Sequence, residues 1–380
     1  MSIYRLTSEI RKTILSTRGE GNAILKKLLY LLSVFYGAVS SVRGYLYTHN
    51  YLRTKRLPCL VISVGNITMG GTGKTPMVRY LCRIFQQHDL RVAVLSRGYK
   101  GTHSKKGGIV SNGSELLLPP GASGDEPWML ADSLENVPVV VGRNRYRSGM
   151  IAKKSFDPQV LVLDDGFQHL QLQRDLDIVL LDGTHPLGNG HVFPRGTLRE
   201  SVSGLDRCDA LIFTRAGSGD PAKHLVRSGI KTSVPCFASV HKPYIHSMVE
   251  VSKDGQRFVK TGDLAYPDPG IRSAQKVIGF SGIADNHGFE AAVRGFGFDI
   301  AGFLGYEDHH WYDEKDLEAI FDLARKKKAE LIVTTRKDFV RIDKDTQWPV
   351  DVVVVDVKIE FPDDGFERWL EDSIGKLPRN

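Results

Sequence analysis

The chain of 380 residues is long enough for two or three domains with sizeable cores, and its hydrophobic and charged fractions are ordinary for a globular protein. Its four cysteines (Cys59, Cys82, Cys208 and Cys236) are scattered without a C-x-x-C pair, which argues against a disulfide framework or a cysteine zinc site and favours a reducing compartment. The net charge of +7 is uneven, because ten Lys or Arg and two Glu give residues 1–58 a charge of +8 and leave −1 for the rest.

This basic N-terminal segment contains fifteen uncharged residues, 28–42, between Lys26 and Lys27 on one side and Arg43 on the other. As a helix they are about 22 Å long, whereas a membrane span needs about 20 residues, so the sequence predicts no simple span. Six apolar residues share one face: Leu28, Leu31, Leu32, Phe35, Val39 and Val42. An apolar face flanked by cations is typical of a helix lying in an anionic membrane surface, and a helix docked on its own domain is the alternative. A signal peptide and a nucleic-acid partner are disfavoured, because neither a cleavage site nor a nucleic-acid-binding motif follows.

A strand, a glycine-rich loop and a helix follow in residues 59–87. The run CLVISVGNITMGGTGKT predicts a buried strand that breaks into glycines and leads through Lys74 and Thr75 into a helix over 76–87. In such a P-loop, backbone N–H groups turn toward phosphate oxygens, the Lys reaches the β- and γ-phosphates and the Thr binds Mg²⁺. The strict pattern has glycine where this chain has Thr68, and the loop alone does not separate a kinase from a GTPase or an ATPase. The predicted phosphate-binding residues are Gly70, Gly71, Thr72, Gly73, Lys74 and Thr75.

Short apolar runs alternate with helical patterns along the rest of the chain. We predict strands at 91–95, 137–141, 160–163, 177–181, 210–214, 276–280, 331–334 and 350–355, a hairpin at 248–259, and helices at 286–295, 313–328 and 366–374. This alternation is typical of an α/β fold with a mostly parallel sheet and helices on both faces. We divide the chain into a basic helical segment (1–57), a P-loop core (58–233), a linker with a hairpin (234–270) and a second, smaller α/β lobe (271–380), and we leave open whether the C-terminal helix packs back on the core.

Two acidic pairs are candidates for chemistry. Asp164 and Asp165 end the predicted strand 160–163 and repel each other, so a cation beside them is a natural resolution, and an acid at this position of a P-loop protein holds Mg²⁺. An acidic turn or a helix cap is the alternative. Asp125 and Glu126 stand in the stretch GDEP, which has the form of an ordinary helix start and alternatively supplies the carboxylate that accepts a substrate hydroxyl proton.

Three further polar stretches are less specific. The DHH stretch at 308–310 precedes a predicted helix, and neighbouring histidines point in different directions, so a structural role is the first expectation. The TTRKD stretch at 334–338 follows a strand and loosely resembles the base-reading loop of GTP-binding proteins through its Lys and Asp338. Residues 189–200, NGHVFPRGTLRE, supply arginines and Glu200 to a loop that faces either phosphate and metal or solvent.

Taken in order, these motifs resemble one family, the tetraacyldisaccharide 4′-kinases of the lipid A pathway. The resemblance rests on YGAVSSVRGYLY, SVGNITMGGTGKTP, LSRGYKG, GDEP, VGRNR, LVLDDGFQHLQLQRDLDIVLLD, FPRGTLRE, GFSGIADNHGF and DHHWYDEKDL. The run around DDGFQH is far more specific than the P-loop. A departure is Arg336, where the family usually has Glu before the Lys of the TTRKD stretch.

The resemblance implies a P-loop NTPase-like fold with a second lobe joined by a β-stranded hinge. It also implies transfer of phosphate from ATP, with Mg²⁺, to the 4′-hydroxyl of a lipid A disaccharide 1-phosphate. The expected partners are this lipid and an anionic membrane surface at the cytoplasmic face of the bacterial inner membrane, where the protein is peripheral and monomeric. Two alternatives stay open from the residues alone: a membrane-associated P-loop ATPase or GTPase switch without a lipid acceptor, and a nucleotide-dependent scaffold.

The resemblance also implies roles for matching residues. Lys74 and Thr75 serve the nucleotide phosphates and Mg²⁺, and Lys74 counts among the catalytic residues. Asp125 is the catalytic acid-base residue, paired with His309, and this pairing makes physical sense if the two lobes close and exclude water. With Thr75, four acids surround the metal and phosphate site: Glu126, Asp164, Asp165 and Glu200.

Overall fold

A computed structural model describes residues 23–216, 221–230, 232–252, 255–260 and 274–376 of the chain. The chain divides into two compact units. Unit 1 comprises Met1–His241 together with Ile359–Asn380, and unit 2 comprises Lys242–Lys358. The four-part division made from the sequence stays a prediction, and residues 1–22 of its first segment and 261–270 of its linker lie outside the described residues.

Unit 1 is built on an eight-stranded sheet in the order β3-β4-β2-β5-β1-β6-β7-β8. Its strands are β1 (Leu60–Gly65), β2 (Val92–Ser96), β3 (Gly108–Ser111), β4 (Val139–Val141), β5 (Val160–Asp164), β6 (Leu176–Asp182), β7 (Ala210–Thr214) and β8 (Cys236–Ala238). All neighbouring pairs are parallel except the edge pair of β3 and β4. The mostly parallel α/β fold predicted from the sequence is therefore confirmed.

Helices cover both faces of this sheet. The helices of unit 1 are α1 (Ala23–Thr48), α2 (Lys74–Gln87), α3 (Pro120–Ser123), α4 (Asp125–Ser133), α5 (Arg145–Phe156), α6 (Pro221–Ser228) and the late helix α10 (Gly365–Gly375). Successive residues of β1 face opposite clusters: Ile62 packs with α2, whereas Val61 packs on the face that α5 covers. Because strands buried on both faces must be apolar throughout, the near-continuous valine and leucine runs of the sequence are explained.

The last helix completes the core of unit 1. Phe366 and Leu370 of α10 are fully buried in the same cluster as α2 and α4. The ring of Phe366 meets Phe237 of β8 at 5.3 Å, and Tyr80 of α2 donates a 2.6 Å hydrogen bond to Glu367. Burying one such side chain contributes about 1.5–3 kcal/mol, so α10 is an integral part of unit 1.

Unit 2 has a six-stranded sheet in the order β10-β9-β14-β13-β11-β12. Its strands are β9 (Val240–Ser252), β10 (Gly255–Lys260), β11 (Lys276–Ser281), β12 (Asp299–Gly305), β13 (Leu331–Thr335) and β14 (Asp351–Glu360), and its helices are α7 (Asn286–Gly295), α8 (Glu314–Lys327) and α9 (Arg336–Phe339). The predicted hairpin is the antiparallel pair β9 and β10. Strands β12, β11, β13 and β14 run parallel.

Helix α1 is longer than the sequence analysis predicts. It has 26 residues, about 39 Å, because Lys26, Lys27 and Arg43 lie inside it and not at its ends. The argument from length against a membrane span is therefore wrong. Among the described residues α1 meets the length and composition of a membrane-crossing helix, a test that a signal sequence near an N-terminus also passes.

The same helix packs on unit 1 through small residues and turns its apolar face outward. The hydroxyl of Ser33 donates to the carbonyl of Val192 at 2.7 Å and accepts from the backbone N–H of Arg195 at 2.8 Å, and Gly37 lies against Val192. The predicted face is exposed: Leu28, Leu31, Leu32, Phe35, Val39 and Val42 are 48% to 72% accessible. The docked helix expected as one alternative is therefore observed on the side of Ser33, whereas the lipid-facing role of the exposed side stays a prediction.

Candidate active site

The P-loop joins β1 to α2 at the carboxyl edge of the sheet. Gly70 and Gly73 have φ values of 117° and 85°, which side-chain-bearing residues adopt only with strain. Gly73 is the N-cap of α2 and supplies no side-chain cap, so the N–H groups of the first turn are directed at the loop. The loop is braced from within, because the Asn66 amide donates to the Thr72 hydroxyl at 2.9 Å. A helix N-terminus framed in this way is an anion site.

Asp164 is the last residue of β5, beside β1, and is 3% exposed. Its carboxylate accepts a 3.1 Å hydrogen bond from the Ser96 hydroxyl at the end of β2. Burial, followed by the charges of Glu126 and Asp165, raises the pKa of this carboxyl to about 7, although Lys74 and the Ser96 hydrogen bond oppose the shift. The negative charge of this carboxylate is therefore not balanced by its neighbours, and an added cation would stabilise it.

Asp165 is held in a left-handed backbone conformation, with φ of 56°. Nη1 of Arg199 donates to both of its carboxylate oxygens at 2.8 and 2.9 Å, and Nζ of Lys74 lies 3.7 Å from Oδ1. Burial alone would raise the pKa of Asp165, but the charges of Lys74 and Arg199 outweigh it and lower the pKa. Asp165 thus connects the P-loop lysine to the loop 189–200 and stays ionised.

Glu200 lies in a network that braces the P-loop from the other side. Its carboxylate accepts from Nη2 of Arg207 at 2.6 Å and from the amide of Gln168 at 2.9 Å. That amide also donates to the carbonyl of Asn66 at 2.7 Å. Because both carboxylate oxygens of Glu200 have partners, this acid acts here as a support, and its role around the metal stays a prediction.

Asp125 and Glu126 occupy the first turn of α4, after Gly124 with φ of 91°. Asp125 is 7% exposed and stands at the N-terminus of α4, where a helix dipole interacts favourably with negative charge. A Cβ on Gly124 would lie 2.6 Å from the carbonyl oxygen of Tyr99, so the GDEP loop and the RGYKG loop are in tight contact. The proximity of Glu126 to the acid pair is evident from its effect on the pKa of Asp164.

Cations surround His169 at the end of the DDGFQH run. Burial, followed by the charges of four arginines, lowers the pKa of His169 to about 4. These arginines are Arg145, Arg174, Arg43 and Arg97. Arg43 belongs to α1 and lies 3.4 Å from the carbonyl of Gln168, so helix α1 contributes charge to the same group. Burial is the largest cause of the lowered pKa of His169, and the arginine charges add to it, so the surroundings keep this ring neutral.

In unit 2, His309 lies in the turn after β12. Its φ is 63°, its backbone N–H donates to the carbonyl of Gly282 at 3.1 Å, and its ring Nδ1 lies 3.0 Å from Nη2 of Arg341. His310 is held separately, with Nε2 2.7 Å from Asp316 and its ring stacked on Tyr306. The two histidines therefore have different partners, as their adjacency in the sequence suggests.

The structure argues against base reading by Asp338 of the TTRKD stretch, and the role of Lys337 stays a prediction. Asp338 is fully buried and accepts hydrogen bonds from Thr335 and from the backbone N–H of Gly282, with Arg341 at 3.4 Å. Burial raises the pKa of this carboxyl, although Thr335 and Arg341 oppose the shift. A carboxylate engaged in this way inside unit 2 is structural.

Several residues near the P-loop were missed from the sequence. Arg215 donates to the carbonyl of Gly71 at 2.5 Å and pairs with Asp182 at 2.8 Å. Nε2 of His241 is buried without a hydrogen-bond partner among the described residues and lies where a Cβ on Gly73 would overlap it. Burial, then the charge of Arg215, lowers the pKa of His241 to about 4. For Asp182 and Arg215 the sequence offered one indication of a role at the site. Both stand at the carboxyl edge of the sheet, where ligands collect.

The donors present fit Mg²⁺ better than a fully protein-held metal. Within the described ranges, no three His, Cys, Asp or Glu side chains group closely enough to hold an ion. Magnesium commonly takes one or two carboxylates and completes its coordination with phosphate oxygens and water. The hydroxyl of Thr75 and the buried carboxylate of Asp164, with its pKa raised to about 7, are hard oxygen donors of this kind.

This fold and site define a P-loop protein whose paired acids face the nucleotide-binding loop. The model of the tetraacyldisaccharide-1-P 4′-kinase family matches residues 25–375. A tetraacyldisaccharide 4′-kinase of Desulfatibacillum aliphaticivorans is 38% identical over 97% of this chain and 98% of its own length, and one of Syntrophus aciditrophicus is 41% identical over 83% and 84%. The chain belongs to the tetraacyldisaccharide-1-P 4′-kinase family.

A solved structure supports the same conclusion. It is described as the "apo" form of LpxK from Aquifex aeolicus in complex with ATP, and it covers 93% of this chain and 99% of its own. The two chains are 30% identical with a TM-score of 0.69. The predicted family and the P-loop NTPase-like fold class are thereby confirmed.

Proposed function

We propose that this protein transfers the γ-phosphate of ATP to the 4′-hydroxyl of a tetraacyldisaccharide 1-phosphate, a lipid A precursor. The observation that carries the proposal is the extent of the family match, because residues 25–375 include the P-loop, both acidic pairs and the His309 turn. An ATPase or GTPase switch without a lipid acceptor is not favoured, since the relatives that match over most of their length are kinases.

The P-loop residues bind and orient the nucleotide. The backbone N–H groups of Gly70, Gly71, Thr72 and Gly73 and the first turn of α2 receive the phosphates. The ammonium of Lys74 neutralises charge on the transferring phosphate. Its Nζ lies 3.7 Å from Oδ1 of Asp165, and this carboxylate holds it in place. Phosphoryl transfer depends mainly on this positioning and charge stabilisation.

Thr75 and Asp164 would hold Mg²⁺, with Glu126, Asp165 and Glu200 completing the acidic surroundings. When bound, the ion supplies charge stabilisation to the phosphate oxygens. The chain prepares for this, because Ser96 orients Asp164 and Arg199 keeps Asp165 ionised. Asn66 adds a buried amide oxygen that has no hydrogen-bond partner among the described residues.

Asp125 is the proposed base. Its carboxylate accepts the proton of the 4′-hydroxyl as the oxygen attacks the γ-phosphate, and His309 orients it. The two residues belong to different units, so in this proposal the base becomes competent when unit 2 brings His309 to it, a step that also excludes water.

The acceptor is a lipid, and α1 is suited to reaching it. Phe35 is 72% exposed on a helix whose opposite side packs on unit 1 through Ser33. An exposed apolar face with Lys26, Lys27 and Arg43 nearby favours an anionic membrane surface. From the family membership we further propose the cytoplasmic face of the bacterial inner membrane as the location, with the protein acting peripherally as a monomer.

A transfer assay tests the reaction. Purified full-length protein in detergent micelles receives γ-labelled ATP, Mg²⁺ and the tetraacylated disaccharide 1-phosphate. We expect label on the lipid, and Asp125→Asn should lower the rate by about 10²–10⁴-fold while retaining ATP binding. Glu135→Gln, which removes an exposed acid just after α4, is the matched control and should be unaffected. Free phosphate without labelled lipid would favour the ATPase switch instead.

A flotation assay tests the membrane surface. Replacing Leu31 and Phe35 with Ser should weaken association with vesicles containing anionic lipid, because each side chain loses about 1.5–3 kcal/mol of burial. Val226→Ser is the matched control, since Val226 is 83% exposed on α6. Unchanged flotation of the double variant would remove α1 from membrane binding.

A further inference from the structure

The ring of His309 contacts a side chain that can donate hydrogen bonds but cannot accept them. Nη2 of Arg341 lies 3.0 Å from Nδ1 of His309. A guanidinium only donates hydrogen bonds, so Nδ1 must accept. When Nδ1 accepts, the ring hydrogen is on Nε2 in the neutral imidazole. The contact therefore selects one of the two tautomers of His309 and leaves Nε2–H as its donor.

Arg341 is itself held firmly in the interior of unit 2. Its side chain is fully buried, and Nη1 donates to the carbonyl of Gly282 at 3.3 Å and lies 3.4 Å from Oδ1 of Asp338. Asp338 is secured in turn by Thr335 and by the N–H of Gly282. A buried arginine costs free energy unless it is paired, so this network holds the guanidinium in one position.

The backbone of His309 is anchored on the same loop. Its N–H donates to the carbonyl of Gly282 at 3.1 Å, the carbonyl that also accepts from Arg341. Its φ of 63° lies in the left-handed region, which few residues other than glycine occupy. The main chain of His309 is therefore hydrogen-bonded to Gly282 directly, and its ring is linked to the same carbonyl through Arg341. These contacts together set the direction of Nε2.

We propose that Arg341 is a positioning residue for transfer, which acts by fixing His309 as an Nε2–H donor. This inference rests on the proposed function, in which His309 orients the carboxylate of Asp125. An Nε2–H donor binds one carboxylate oxygen and leaves the other to accept the hydroxyl proton. An acceptor nitrogen in the same place would leave the carboxylate without this orientation. The neighbouring His310, which pairs with Asp316, plays no part.

A spectroscopic experiment tests the tautomer. The full-length protein is labelled with ¹⁵N-histidine, and the signals of His309 are assigned with His309→Gln. We expect a nitrogen without hydrogen at Nδ1 and a hydrogen-bearing one at Nε2. Arg341→Met should produce a mixture of tautomers, and Arg341→Lys, which retains a donor, should preserve the wild-type pattern. A hydrogen on Nδ1 in the wild-type protein would overturn the proposal without any variant having to fold.

Kinetics test whether Arg341 acts through His309. Arg341→Met should lower kcat by at least about tenfold, as part of the 10²–10⁴-fold that acid–base groups contribute, with KM for ATP unchanged. In the His309→Ala background the same substitution should cause no further loss. Arg325→Met, which removes an exposed arginine of α8, is the matched control. Equal losses in both backgrounds would overturn the proposal.

The two proposals fail in different ways. Full activity of His309→Ala would remove His309 from the mechanism and leave the tautomer result standing. Loss of activity in His309→Ala, together with unchanged kcat in a folded Arg341→Met variant, would remove Arg341 alone. Recovery of kcat in Arg341→Lys, with the wild-type tautomer, is the result expected of a positioning donor.

Discussion

The acid pair of unit 1 and Asp338 of unit 2 have similar positions and different surroundings. Asp164 ends β5 and Asp338 stands just after β13, so each lies at the carboxyl end of a parallel strand, buried and within reach of an arginine. The carboxylate of Asp338 accepts hydrogen bonds from the Thr335 hydroxyl, from the N–H of Gly282 and from Arg341. Among the described residues, Ser96 alone donates to the carboxylate of Asp164.

The difference separates a carboxylate that builds the fold from one available for chemistry. Asp338 has its hydrogen bonds made within unit 2, and its removal would leave buried donors unpaired. Asp164 is left with like charges nearby and its pKa raised to about 7. Burial raises the pKa of both acids, so the shift alone does not separate them. The few hydrogen bonds of Asp164 and the like charges beside it distinguish it from Asp338 more than burial or an arginine neighbour does.

The largest effect is expected for Asp164, whose carboxylate has few hydrogen bonds and like charges nearby. Asp164→Asn should lower transfer by about 10³-fold or more, because the amide is a weak donor to Mg²⁺ and charge stabilisation of the transition state is lost. Its thermal stability should be equal to or above that of the wild type, since a buried like-charge contact disappears. A labelled-ATP assay and a thermal melt of the same preparation measure both. Lower stability with retained activity would reverse the assignment.

The second effect concerns Asp338, whose hydrogen bonds are made within unit 2. Asp338→Ala should destabilise unit 2 by about 3–5 kcal/mol, because it removes the carboxylate that balances the buried charge of Arg341. Hydrogen exchange is the suitable measurement, since a chain of two units need not unfold in one step. The amides of β11 and β13 should exchange faster, and those of β1 and β5 should not. Uniform protection would show that Asp338 is dispensable.

The third effect is a pH dependence from Asp164. Its folded pKa of about 7 exceeds the ordinary value of about 4, so the folded state holds the proton more tightly. The resulting stabilisation is complete below the unfolded pKa and is lost as pH rises toward 7. Asp164→Asn does not titrate and should gain on the wild type over this window by up to a few kcal/mol. Urea unfolding without divalent cations measures this, and a pH-independent difference would contradict it.

The smallest effect serves as the reference for the other two acids. Asp322 pairs with Arg325 at 2.6 Å on α8, with both side chains more than half exposed. Asp322→Ala should change the free energy of unfolding by no more than about 0.5 kcal/mol, because water already solvates both charges. Urea unfolding of unit 2 is the check. A loss near that of Asp338→Ala would mean that burial does not decide the outcome.

The sequence predicted the features that depend on local pattern. The strand, glycine loop and helix around Lys74 follow from apolar runs and glycines, and the predicted strand at 210–214 and helix at 286–295 have the observed bounds. Asp164 and Asp165 were proposed because two adjacent carboxylates after a strand of a P-loop protein repel each other and favour a cation, and their metal role stays a prediction. The family was found because its motifs occur in order along most of the chain.

What the sequence could not give depends on contacts between distant residues. The contact of Arg341 with His309 joins positions 32 residues apart, and nothing local to either residue indicates it. The TTRKD stretch misled because a motif does not state whether its carboxylate is buried. Similarly, Ser33 and Gly37 were taken as interruptions of an apolar helix, whereas their small size lets α1 approach the loop at Val192.

The path of the chain has a consequence for how the protein is made. Unit 2, Lys242–Lys358, is inserted into unit 1, and the core of unit 1 includes Phe366 and Leu370 of α10. A ribosome therefore releases the whole of unit 2 before the last part of the first core emerges. Until then the surface that α10 covers is exposed on the nascent chain, so the unit that is begun first is completed last.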